Sequence, residues 1–168
     1  MNKNRYSFFH AFVQTVASSR PGAWFYARSL HYFDRVFFKL SGGRATMTGA
    51  LAGLPVVILT TTGAERGLPR TLPLLCIRDK RNPATFALVA SNWGQSHYPV
   101  WYFNLKAHPR AIGSIRGRAE TYVVHEASGE EYERFWQYAA NTYVGYPLYK
   151  QRVGERRIPI MIMTPEEP

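Results

Sequence analysis

Acidic side chains are scarce in this chain, and cysteine is scarcer. Eleven carboxylates stand against 21 lysines and arginines in 168 residues, a formal net charge of +10 at pH 7. A field of that sign draws in anions: nucleic acid, a lipid surface, or a phosphorylated or polycarboxylate small molecule. So few acids offer no carboxylate pair that recommends itself for glycoside chemistry. Cys76 is the single cysteine, which excludes an intramolecular disulfide and suits a reducing cytosol. Within LPLLCI it reads as a buried, inert thiol. The histidines, at 10, 31, 97, 108 and 125, lack metal-ligand spacing, so no metal is expected. GxxxxGKS/T, GxGxxG and GxSxG are all missing. No apolar run approaches the ~18 residues of a spanning helix. His10 and Gln14 interrupt the apolar part of a start that faintly resembles a signal peptide. Hydrolase and metalloenzyme readings lose their support, and an enzyme built on this chain would take its chemistry from an organic cofactor.

What is present suits a globular domain. Hydrophobic residues make up 46% and aromatics 15%, with 11 tyrosines that fit both cores and ligand walls. One domain over 1–168 is the economical count, with 1–41 as an N-terminal helical extension. Residues 6–18 and 23–40 read as helices split by Arg20-Pro21-Gly22, and Tyr26, Leu30, Phe33, Phe37 and Leu40 share one face of the second. Residues 1–64 hold seven basic side chains against one acid, Asp34, so this helix packs on a sheet or lies on an anionic membrane surface.

The pattern then changes period. Short runs rich in β-branched residues at 55–62, 71–78, 85–91, 110–116, 119–125 and 158–164 predict six strands, and the links 63–70, 79–84 and 117–118 are of hairpin length. Strict alternation of strand and helix is missing, which argues for an α+β chain with a small antiparallel barrel and flanking helices. A helix is expected over 97–107. A second opens at Ser128-Gly129-Glu130-Glu131, which has capping-box spacing, and places Tyr132, Trp136, Ala139 and Tyr143 on one face. Gly145 is expected to stop it, with a short continuation from Pro147.

Three segments concentrate polar and aromatic groups. TTTGAERGLPRT, 60–71, follows a buried-strand pattern with hydroxyls, two glycines, Arg66 and Arg70; a tight turn plus arginine can cradle phosphate, or can be a solvated hairpin. VASNWGQSHYPVWYFNLKA, 89–107, runs from a strand into a glycine turn and aromatic side chains, some of them at core spacing. TYVGYPLYK, 142–150, repeats Tyr143, Tyr146 and Tyr149 every three residues at a helix break; as core they need partners for their hydroxyls, and beside a ligand one could donate a proton.

The order SGGR, GLPVVILTTTG, GLPR, PL, VASN, P.WY.NL.A.P, then three spaced tyrosines and IPI over about 40–165, resembles the deazaflavin-dependent nitroreductase family, split β-barrel relatives of flavin-binding pyridoxamine-phosphate oxidases. The resemblance implies a split barrel of about six strands and a reductase transferring hydride from reduced coenzyme F-420 to a quinone, activated alkene or nitroaromatic. It implies coenzyme contacts at Thr62, Gly63, Arg66, Arg70, Thr71 and Pro73 toward the phosphate. Val89, Ala90, Ser91 and Asn92 would line the ring. Val100, Trp101, Tyr102, Phe103 and Asn104 would support the pocket, with Tyr146 also at the coenzyme. Ser91, Tyr143, Tyr146 and Tyr149 would border the substrate, Tyr143 as proton donor. One departure stands out: the family turn commonly reads TTTGRKSG or TTTGRKTG, and here Ala64 and Glu65 replace the basic pair. Glu65 would repel an anionic tail, so FMN, with a single phosphate, is the alternative coenzyme, and a non-catalytic ligand-binding protein on the same barrel is the alternative function. A small-molecule acceptor, a homodimer, a cytoplasmic location and peripheral membrane association through the basic helices fit this reading. Nucleic acid does not, because the basic residues are scattered and no nucleic-acid motif is present.

Overall fold

The computed structural model describes residues 54–167. The helices expected over 6–18 and 23–40, the 1–41 extension and the SGGR stretch lie outside the described residues. Within them the chain forms β1 (Val56–Thr62), β2 (Pro69–Arg78), β3 (Phe86–Val89), a one-turn 3-10 helix (Asn92–Gly94), α1 (Val100–Ala107), β4 (Arg110–Ile115), β5 (Arg118–Glu126), α2 (Gly129–Thr142), α3 (Gly145–Arg152) and β6 (Ile160–Pro165). All six expected strands form. Their neighbours run β1-β2-β3-β6-β5-β4, every pair is antiparallel, and β4 pairs back with β1 to close the barrel.

Two apolar layers follow from the period-2 alternation of the strands. Inside the barrel lie Val57, Leu59, Cys76, Phe86, Leu88, Met161 and Met163, capped by Trp101 and Leu105 of α1. Outside it, Ile77, Ala87, Val89, Ile160 and Ile162 are covered by Phe135, Trp136, Ala139 and the tyrosines of α2 and α3. Strands β3 and β6 are therefore buried on both faces, which explains the unbroken apolar runs FALV and IMIM. Burying each large side chain here contributes about 1.5–3 kcal/mol. Cys76 is fully buried, and desolvation raises its thiol pKa to about 11.

Several boundaries differ from expectation. Pro69 and Arg70 still pair with Thr62 and Thr61, so β2 starts before residue 71. Strand β3 ends at Val89, not 91, because the chain turns sharply at Asn92–Gly94. Ser128 is the N-cap of α2, but its side chain makes no capping hydrogen bond. The expected capping box is broken by competition: Glu131 instead holds His125, Oε2 to Nε2 at 2.9 Å. Gly145 opens α3 rather than closing α2, which ends at Thr142. Its glycine is required by packing, since a Cβ would lie 2.2 Å from the Tyr143 ring.

Candidate active site

Strand β2 carries the candidate site along its outer face. Alternation puts Thr71, Pro73, Leu75 and Ile77 on that face and Arg70, Leu72, Leu74 and Cys76 on the other. Leu75 and Ile77 pack into the layer holding Val89, Tyr143, Tyr146, Tyr149 and Trp93, whereas Leu72, Leu74 and Cys76 join the barrel interior. The outer face of β2 thus leads from the 63–68 turn to the tyrosines. From Thr71 to Leu75 along that face is four strand steps, roughly 14 Å at about 3.4 Å per residue.

The turn end is polar and built by hydrogen bonds. Gly63 N–H donates to Leu68 O and Gly67 N–H to Gly63 O, both at 2.9 Å. The Thr60 and Thr71 hydroxyls, opposite each other in register, are 2.8 Å apart. Thr61 points inward, where Asn104 Nδ2 donates to its Oγ1 at 3.0 Å, while Asn104 Oδ1 accepts Ala64 N–H at 3.0 Å. Asn104 is buried and spends both ends of its amide on the turn, so it positions the turn from behind. Arg66 and Arg70 are exposed, and among the described residues neither pairs with a carboxylate. Unpaired guanidinium groups on a hydrogen-bonded turn suit a phosphate or carboxylate ligand. Glu65 is exposed on the same turn.

The tyrosine end is dry. Tyr143, Tyr146 and Tyr149 pack with ring centroids 5.3, 6.0 and 6.4 Å apart, and all three are buried. The Tyr143 and Tyr149 hydroxyls lie 3.0 Å apart. Burial, reinforced by Tyr143, pushes the phenols of Tyr146 and Tyr149 well above the ordinary tyrosine range, so both stay protonated at neutral pH. Hydrogen-bonded neutral phenols in a low-dielectric pocket are able donors to an oxygen that gains negative charge.

Between the ends lies the 89–95 segment. Val89 faces the outer layer, Ala90 the barrel interior, and Ser91 is buried at the strand end. Asn92, Trp93 and Gly94 take φ of 48°, 58° and 75°, a left-handed run that tryptophan rarely enters. Asn92 Nδ2 contacts the His97 backbone oxygen at 3.0 Å, and Trp93 packs edge-on against Tyr149 at 6.3 Å.

The other expected coenzyme contacts do not converge on one point. Trp101 and Asn104 turn into the barrel cap, whereas Val100 and Phe103 are exposed on the opposite side of α1. Tyr102 donates to Glu126 at 3.1 Å, and burial together with that carboxylate pushes its pKa to about 12. Thr62, Thr71 and Pro73 share the outer face with Leu75, and Gly63 begins the turn. The sequence reading missed the left-handed run at 92–94, although Asn92 and Gly94 tolerate that conformation. It also missed Arg156, whose partners lie more than 60 residues away. An open cavity at Glu120, Thr121, Pro165, Glu166 and Glu167 has the wrong sign for an anionic ligand. Among the described residues, no three metal-ligating side chains cluster, and no helix is long and apolar enough to cross a membrane.

Comparison with known proteins agrees with this architecture. The family model described as F420H(2)-dependent quinone reductase matches residues 34–165. An F420H(2)-dependent quinone reductase of Mycobacterium tuberculosis H37Rv is 34% identical over 117 residues, covering 66% of this chain and 73% of that protein. The structure of an F420-H2 dependent reductase superposes with a TM-score of 0.59 at 34% identity, covering 65% of this chain and 93% of the other. A domain-swapped dimer superposes with a TM-score of 0.61 at 30% identity, over 77% and 94% of the two chains. The chain belongs to the F420H(2)-dependent quinone reductase family and is an F-420-dependent oxidoreductase on a split β-barrel.

Proposed function

We propose that the outer face of β1, β2 and β3 holds F-420 lengthwise, its phosphate and glutamate tail at Arg66 and Arg70 and its ring toward Val89–Asn92 and the three tyrosines. The fit rests on one observation: two guanidinium groups without carboxylate partners stand at the turn end of β2, and a buried, hydrogen-bonded phenol cluster packs against the outer face at its other end. When bound, the coenzyme supplies a hydride to the acceptor. The protein's own part is placement and charge. The turn fixes the anionic end, Pro73 and Leu75 offer apolar contact, and Gly145 leaves room for the Tyr143 ring against the backbone. Hydride arrival on a quinone leaves an oxyanion that needs a proton or a strong donor. The Tyr143 hydroxyl, hydrogen-bonded to Tyr149, is the candidate donor, and Ser91, Tyr146 and Tyr149 border the same end. A quinone is the acceptor class the family's description favours, ahead of activated alkenes and nitroaromatics, and its reduction leaves an oxygen that the donor pair can serve.

FMN is the competing coenzyme, and Glu65 is the residue that favours it. Fluorescence titration of F-420, FMN and FAD against one preparation decides between them. Micromolar F-420 binding without FMN binding is expected, and tight FMN binding without F-420 binding would reassign the coenzyme. Absence of menadione reduction by an F-420-loaded sample would leave a carrier protein. We read the chain as one domain that pairs into a homodimer, in keeping with the domain-swapped relative. The basic residues of 1–64 would hold it against anionic lipid, where quinones reside, and vesicle co-sedimentation at low and high salt tests that placement.

A further inference from the structure

The left-handed turn at Asn92–Gly94 holds Trp93 in an unfavourable conformation that persists only where its surroundings dictate it. Local contacts supply part of the constraint: Gly94 N–H donates to Ser91 O and Gln95 N–H to Asn92 O, each at 3.0 Å. Gly94 also sits so tightly against α3 that a Cβ would lie 3.2 Å from the Tyr149 Cα. The remaining constraint comes from the far end of the chain. Arg156, in the link before β6, donates from Nη2 to Ser91 O at 3.1 Å and to Gln95 O at 2.8 Å, spanning the mouth of the turn. Its guanidinium lies over the Tyr98 ring, 4.8 Å from the centroid.

That arrangement is costly for stability alone. Nε and Nη1 of Arg156 are buried without a hydrogen-bond partner, and no carboxylate pairs with the group among the described residues. Unmet buried donors on a charged side chain oppose folding. Neighbouring Arg157 provides the contrast. It stacks on Tyr132 at 4.6 Å and donates to Ala127 O at 3.1 Å, a cation on a ring and a carbonyl as well, but against α2 and away from the turn.

We propose that Arg156 is a positioning residue for hydride transfer: by clamping the Ser91 and Gln95 carbonyls it fixes the left-handed turn and with it the Val89–Asn92 backbone that faces the coenzyme ring. The inference rests on the coenzyme placement given above. Arg156 acts through the turn on the ring end only and leaves the cationic turn at 63–68 untouched. Loss of the clamp therefore misplaces the ring while the tail stays anchored, and small misplacements of a reacting centre cost up to about a hundredfold in rate.

The test compares Arg156→Met, Arg156→Lys and Arg157→Met with the native protein. Three readouts are taken: F-420 affinity by fluorescence, amide exchange of residues 91–95 without coenzyme, and kcat with menadione. Arg156→Met is expected to speed exchange at 91–95 at least tenfold and to lower kcat about tenfold or more, with F-420 affinity within about threefold. Arg156→Lys, able to reach one carbonyl, should fall between. Arg157→Met should lower thermal stability and leave kcat and the exchange of 91–95 unchanged. Native exchange and native kcat in Arg156→Met would overturn the proposal. So would equal kcat losses in the Met variants at 156 and 157, which would make the clamp merely structural. If the native protein itself does not bind F-420, the coenzyme reading fails and the clamp's role falls with it. Native binding with unaltered variants removes only the clamp.

Discussion

At the 63–68 turn the charged groups stand in solvent, held by backbone hydrogen bonds and by Asn104 from behind. At the far end of β2, Tyr143, Tyr146 and Tyr149 are buried among Leu75, Ile77, Val89 and Trp136. The exposed end can exchange one side chain for another at little cost to folding, because surface charges contribute of order a kcal/mol or less. The buried end cannot: its rings are core, and in the proposed site they carry the chemistry as well. On the proposed placement, affinity is thus adjustable where the protein is wet, and reactivity is fixed where it is dry. The Ala64-Glu65 departure falls at the wet end, where a family can vary most freely.

This contrast can be broken or sharpened in order of expected effect. Removing the hydroxyl in Tyr143→Phe should lower kcat about a hundredfold, within the range of general acid catalysis. Melting temperature should fall modestly, because the ring remains but the buried Tyr149 hydroxyl loses its partner; steady-state menadione reduction alongside a thermal melt checks both. An unchanged kcat would move the donor role to Tyr149 or Ser91. Next, Asn104→Leu should destabilise the fold by about 2 kcal/mol, because Thr61 and the Ala64 amide lose a buried partner. Denaturant unfolding measures that loss, and F-420 affinity should fall with it as the turn loosens. Third, the double change Arg66→Ala with Arg70→Ala should weaken F-420 binding about tenfold with kcat unchanged at saturation, the difference shrinking in high salt. A kcat effect there would show that the two ends are not separable.

The smallest effect is a pH dependence of stability. Folded Cys76, Tyr146 and Tyr149 have pKa values raised chiefly by burial, so above the unfolded values the unfolded chain releases protons that the folded chain retains. Stability from these groups is complete below about pH 9, and it declines as pH rises, first through Cys76 between its ordinary value and about 11. The tyrosines add to the decline above about pH 10. Denaturant midpoints at pH 7, 9 and 10 check the sign. A midpoint that rises with pH over that interval would mean these groups are not buried in solution.

Strand existence and barrel class were readable because alternation and continuous apolar runs are local consequences of burial, and all six strands form within a few residues of their expected ends. The family pattern was readable because TTTG, VASN and the spaced tyrosines are contiguous strings. The start of α2 was readable too, with Ser128 at its N-cap, but the capping hydrogen bonds were not: His125, held on β5, takes Glu131. The candidate site divided along the same line. Arg66, Arg70 and the three tyrosines could be named from residue type, but which face of a strand or helix each occupies sent Trp101 inward and Phe103 outward.

By itself, then, the sequence determined the count of strands, the hairpins β1–β2, β2–β3 and β4–β5, and the buried thiol, because each depends on nearby residues, and the family, because its short motifs recur in order along the chain. Tertiary structure alone decided that Asn104 serves the turn at Thr61 and Ala64, that Asn92 and Trp93 take left-handed backbone, and that Arg156 reaches Ser91 and Gln95. Those partners are separated by roughly 40 to 65 residues. They meet because β6 inserts between β3 and β5 and α1 caps the barrel, and the closure of a sheet is a property of the whole chain rather than of any segment in it.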